Sequence, residues 1–231
     1  PVELDSSWSS FRRLPEKRKN TFAISAELSR QLDDAGARFT HHGKSRDLAL
    51  DDVFVYPEMR PLQDDGKRRL FVDSANLRSP KNLERGVLIR GREQYGKTSL
   101  LRQLFRNYHA RGYLPLLISG SDVNKSTPRD MQKTVESAVS KTYGKESLTQ
   151  FWQLGAEKRV LLLDDIDESS LSGVHFSKAL GYLSQTFSLL VVTCSEMFEL
   201  RELVVPESFD IPKKLDHYEL LEFGNRRRHD L

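Results

Sequence analysis

Eight consecutive residues, Gly91-Arg92-Glu93-Gln94-Tyr95-Gly96-Lys97-Thr98, have the types and spacing to hold a chain of phosphates. They match G-x-x-x-x-G-K-[ST] without a mismatch. Gly91 and Gly96 let the backbone curl and let phosphate oxygens approach where a Cβ would otherwise stand. The N–H groups from Arg92 through Ser99 then converge on an anion at a helix N-terminus. Lys97 is expected to reach the β- and γ-phosphates, and Thr98 to offer its hydroxyl to Mg²⁺.

A second set of polar residues comes after the apolar run Val160-Leu161-Leu162-Leu163. A buried strand ending in Asp164-Asp165 is the Walker B pattern. Asp164 is expected to hold Mg²⁺ through water, and Asp165 to orient or activate the attacking water. Asp167 and Glu168 read as loop residues. The next apolar run, Leu189 to Cys194, carries Thr193 and is followed by Ser195. Either hydroxyl, ending a strand beside the acids, is a candidate to sense the γ-phosphate or its water. Guanine-specific features are missing. No D-x-x-G follows Asp165, and Asn124-Lys125-Ser126-Thr127 lacks the aspartate of N-K-x-D. The expected ligands are therefore ATP and Mg²⁺.

These residues need rigid elements to carry them. Gly86 to Arg90 reads as a short buried strand entering the glycine-rich loop. Leu100, Leu101, Leu104, Phe105 and Tyr108 then recur at the spacing of one helix face, closed by Gly112. Leu114 to Ile118 reads as a strand. Thr127, Pro128 and Asp130 supply a cap, a fixed φ and a first-turn acid to the next helix. A short helix holds Phe151 and Trp152, a helix spans about Val174 to Phe187, and a last strand lies near Tyr218 to Phe223. Strands alternating with helices at this spacing predict a three-layer α/β/α sandwich with a mostly parallel five-stranded sheet. Ligands are then expected at the carboxyl ends of the strands.

Upstream the signals are weaker. Phe22 to Ala35 predicts a short helix, and Asp52 to Pro57 a β-prone run closed by proline. Residues 60–69 read as a hairpin or loop. Residues 1–49 are expected to be a linker and helical extension, and 50–231 the core. The chain starts at Pro1, and Asn225 looks like the cap of a helix just beginning, so a longer protein with a C-terminal lid is expected.

Among 231 residues 38% are hydrophobic and 30% charged, and the net charge is +3, which does not by itself call for a nucleic-acid partner. The basic groups Arg12, Arg13, Lys17, Arg18, Lys19 and Arg226 to Arg228 read as solvated surface, as does the pair His41-His42. A single cysteine, Cys194, excludes an intrachain disulfide and reads as a buried structural thiol. With no apolar stretch near the ~20 residues that a bilayer needs and no signal-peptide pattern, the expected setting is cytoplasmic, without membrane contact.

The loop, the Asp-Asp strand and the run Val191-Val192-Thr193-Cys194-Ser195 resemble the STAND-type NTPases, signal-transducing relatives of AAA+ ATPases. Leu50 to Arg60 resembles the lead-in that precedes their core, and Phe223 to Arg228 the start of the segment beyond their last core strand. The resemblance implies a switch module within a longer chain that also carries effector and sensor domains and assembles as a homo-oligomer. It also implies bacterial antiphage defence as a setting. Two departures imply slow hydrolysis: Glu196 stands just after the sensor strand, where a basic residue is common, and the second acid is Asp165 rather than glutamate. The alternative is a mechanochemical AAA+ ATPase acting on DNA or protein, a loader or transposition helper.

Overall fold

The computed structural model describes residues 22–36, 48–62, 71–80, 83, 86–198 and 215–222. The basic groups near both ends, His41-His42 and residues 223–231 lie outside the described residues, as does most of the 60–69 turn.

The chain alternates strands and helices from residue 87 onward. β3 (Val87–Arg90) enters the glycine-rich loop, and α3 (Lys97–Ala110) leaves it. β4 (Leu114–Ser119), α4 (Pro128–Tyr143) and α5 (Leu148–Gln153) follow. Then come β5 (Arg159–Asp164), α6 (Gly173–Thr186), β6 (Leu189–Cys194) and β7 (Asp216–Leu220). Each boundary has a local cause. Thr127 accepts from Asp130 N–H ahead of Pro128 and so opens α4; Gly144, at φ 90°, closes it. β5 and β6 are buried along nearly their whole length, as strands covered on both faces must be.

The five expected strands are parallel and ordered β7-β3-β6-β5-β4. The sheet is wider than expected, with seven strands among the described residues. β1 (Glu58–Pro61) pairs antiparallel with β7, and β2 (Val72–Asp73) with β1. The strand expected at Asp52 to Pro57 is displaced. Residues Leu50–Val53 form one helical turn, α2, because the Asp52 carboxylate accepts from Ala49 N–H at 2.9 Å. Phe54 to Pro57 join no helix or strand among the described residues, and the strand begins at Glu58. The first helix is also shorter than expected. α1 (Ala26–Asp33) starts where Ser25 accepts from Leu28 N–H, and Phe22 instead packs edge-on against Tyr143 of α4, centroids 5.3 Å apart.

Two cores flank the sheet. On one face α4, α5 and α6 bury Met131, Val135, Phe151, Phe176 and Leu183. On the other, α3 buries Leu100, Leu101, Leu104, Phe105 and Tyr108, together with Leu28 and Leu32 of α1. Fully burying one such side chain contributes about 1.5–3 kcal/mol. α3 is therefore fixed to the sheet, and the loop at its N-terminus is held between two rigid elements.

Candidate nucleotide site

β3, β6 and β5 end side by side, so their terminal residues converge on the N-terminus of α3. The loop between β3 and α3 has two unusual backbone positions. Gly96 takes φ 87° as the residue capping α3, and Gln94 takes φ 64°. Gly91 is needed for a reason that the motif does not state: a Cβ there would meet the Leu220 Cβ of β7 at 3.2 Å. The N–H groups of Gly96, Lys97 and Thr98 find no acceptor among the described residues. Unpaired N–H groups at a helix N-terminus are the donors that an anion nest would use.

Lys97 is buried at 8% exposure, so little water reaches its charge. Nζ donates to Gly91 O at 3.1 Å and Arg92 O at 3.3 Å, and stands 3.5 Å from Asp165 Oδ1. Arg92 turns outward and pairs with Glu196, Nε to Oε2 at 2.5 Å; Arg90 donates to the Glu196 carbonyl. The acid just after β6 is thus tied to both arginines that flank the loop's first glycine.

The two acids are organised by Thr193. Its hydroxyl donates to Asp164 Oδ1 at 2.7 Å and accepts from Asp165 N–H at 2.9 Å. β6 lies between the loop strand β3 and the acid strand β5, which is why Thr193 meets both acids. The Ser195 N–H donates to Asp167 Oδ1 at 3.0 Å, tying the end of β6 to the turn after β5. Asp167, read from sequence as a loop residue, is a structural anchor. Cys194 is fully buried and its thiol is pushed up to about 12 by burial, so it is unreactive packing, as expected.

Asp165 occupies the left-handed region at φ 45°, a conformation that costs a non-glycine residue about 1–2 kcal/mol. Its carboxyl is raised above the ordinary value, first by burial and then by the charge of Asp164, with Lys97 opposing. Sequence reading missed the residue that permits this backbone. Gly120, just after β4, lies so close that a Cβ would stand 2.0 Å from Asp165 O and 2.8 Å from Ile166 Cα. Backbone cannot yield as a side-chain tip can. Gly120→Ala is expected to cost about 1–3 kcal/mol. Gly181→Ala, where a Cβ meets nothing within 4 Å in mid-helix, is expected to be neutral or stabilising by up to about 1 kcal/mol. Urea unfolding of both variants checks this, and equal midpoints would contradict it.

Two cavities adjoin the α3 N-terminus. One, of about 670 Å³, reaches Thr98 and Asp164 and runs between α3, β4, α4 and α1. Two hard oxygen donors at its end suit Mg²⁺. The other, of about 570 Å³, is mostly apolar and meets the loop at Gln94, Tyr95, Gly96 and Ser99. Its far wall is Ala35, Leu50, Val53, Phe54, Val55 and Pro57. Among the described residues no carboxylate lines it. Sequence reading assigned these upstream residues no role at a site.

No family model matches the sequence, and no curated protein does. Solved structures do resemble it in fold. A DNA replication initiation factor shares 19% identity at a TM-score of 0.41, over 68% of this chain and 45% of that one. Replication initiator DnaA bound to AMPPCP and single-stranded DNA shares 19% at 0.38, over 64% and 44%. The Aeropyrum pernix ORC1 protein in complex with DNA shares 17% at 0.41, over 63% and 42%. The likeness is one of fold. The chain spans less than half the length of each. No helix among the described residues is long and apolar enough to cross a membrane.

Proposed function

We propose that this chain binds ATP with Mg²⁺ and hydrolyses it slowly, as the switch module of a multidomain STAND-type signalling protein. One observation carries the reading: phosphate donors, a metal-suited oxygen pair and an apolar cavity all meet around the first turn of α3. The free N–H groups of the loop and Lys97 would hold the phosphates. Thr98 and Asp164 would hold Mg²⁺, which shields the phosphate charge when bound. The apolar cavity would take the base, and a lining whose described residues include no carboxylate favours adenine, since guanine's N1–H and 2-amino groups call for an acceptor. Asp165 would orient the attacking water, with Thr193 setting the distance between the two acids.

Slow turnover is expected from the charges. Glu196 puts a carboxylate at the mouth of the loop, already paired with Arg92, where a cation would stabilise the charge that develops on a transferring phosphoryl group. Effector and sensor domains of the same longer chain, homo-oligomer assembly and a role in antiphage defence belong to this reading through the resemblance of the motifs. Phosphate release, measured with and without single- and double-stranded DNA, tests it. Slow release, unchanged by DNA, is expected. Strong stimulation by DNA would favour the mechanochemical alternative instead.

A further inference from the structure

α3 does more than carry the phosphate loop. The side it turns toward α1 and α2 bears Arg102, Gln103 and Arg106, one and two turns beyond Thr98. Arg106 Nη1 donates to Asp51 Oδ2 of α2 at 2.5 Å, and its other terminal nitrogen pairs with Asp33 at the end of α1. Gln103 donates to the second oxygen of Asp51 at 2.5 Å. Arg102 donates to Asp34 O at 3.0 Å. Both carboxylate oxygens of Asp51 are thus held from one helix face, and the last residues of α1 are held from the same face.

The two segments tied down in this way are two that wall the apolar cavity. Ala35 directly follows Asp34, and Leu50 and Val53 belong to the helical turn that holds Asp51. Asp33, Asp34 and Asp51 are each about half exposed, so any one pair contributes little. Their effect comes from convergence: one guanidinium bridges two segments that are separate in the chain.

Resting on the ATP reading above, we propose that Arg106, with Gln103 and Arg102, is a clamp that assembles the base-binding wall from α2 and from Ala35, which α1 carries just beyond its end. Docking of α1 and recognition of the base are then one coupled event. Linkage makes the coupling reciprocal: a base in the cavity favours docked α1, and docked α1 raises affinity for the base. A change that pulls on the segment before α2 would reach the nucleotide through this clamp without touching the phosphates. Arg106 is a positioning residue in this scheme, since it acts through Asp33 and Asp51.

The test separates base from phosphate. Affinities for ATP and for inorganic tripolyphosphate, both with Mg²⁺, are measured on the whole chain as wild type, Arg106→Met and the milder Asp51→Asn. ATP affinity is expected to fall by about tenfold in Arg106→Met, in the usual range for coupled sites. Tripolyphosphate affinity is expected to change less than about twofold, because the phosphate loop is untouched. Hydrogen exchange supplies a second reading: ATP, but not tripolyphosphate, should slow exchange at residues 26–33 of the wild type. An unchanged ratio of the two affinities would overturn the clamp, as would an equal loss for both ligands, which marks a general loss of fold. A wild type that binds neither ligand would instead overturn the nucleotide reading itself.

Discussion

Lys97→Ala is expected to lower affinity for Mg–ATP by about 10- to 150-fold, the equivalent of about 1.5–3 kcal/mol for hydrogen bonds from a charged donor. The size reflects where the ammonium sits. It is almost fully buried, donates to two loop carbonyls and lies 3.5 Å from Asp165, so little water screens it from an anion entering the loop. Alanine removes the Lys97 cation from the loop and leaves Asp165 facing Asp164 without that counter-charge. A phosphate chain would then meet two carboxylates and no ammonium. Lys97→Met, which keeps the buried stem but not the charge, should lose nearly as much. Equilibrium binding of a fluorescent ATP analogue checks both, and unchanged affinity in the methionine variant would show that Lys97 only packs.

The second large effect is on turnover. Asp165→Asn keeps shape and removes the base, so ATP should stay bound while hydrolysis falls by about 10²- to 10⁴-fold. The raised carboxyl makes Asp165 a better base than an ordinary aspartate once ionised. The same shift has a cost in stability, and its sign is definite. Held above the ordinary 3.8, the folded carboxyl keeps its proton to higher pH than the unfolded one does. Between those two values the folded chain binds more protons, so stability falls as pH rises through that window, and above it the cost stays in full. The asparagine variant escapes that cost. It should therefore melt above the wild type at neutral pH, with the difference shrinking as pH falls towards 3.8. Faster hydrolysis, or a lower melting point at neutral pH with a shrinking gap in alkali, would remove Asp165 from this role.

The phosphate loop and the acid strand were legible because their chemistry is local. Eight residues between a strand and a helix fix the backbone of the loop, and the apolar run before Asp164 can only be a covered strand. The upstream wall was not legible. Val53, Phe54, Val55 and Tyr56 have strand propensity, yet a single carboxylate, that of Asp52, draws Val53 into a helical turn that ends just before Phe54. Propensity alone cannot weigh that bond against packing along the loop. Gly120 gave no signal because its neighbour, Asp165, is 45 positions away and only the fold brings them together. Arg102 and Arg106 carried no signal of their own, since ion pairs between distant segments leave no periodic trace. Strand β1 was missed for a similar reason: one of its pairing partners, β7, comes about 160 residues later, and β2 joins the sheet only through β1.

The claim beneath all of this is that the first turn of α3 binds Mg–ATP. Titration calorimetry of the whole chain with ATP, with and without Mg²⁺, tests it most directly when wild type and Lys97→Ala are run side by side. One saturable site per chain is expected in the wild type, clearly weakened without Mg²⁺ and lost or nearly lost in the variant. A folded wild type that gives no saturable heat, or a variant that binds as the wild type does, would contradict the account.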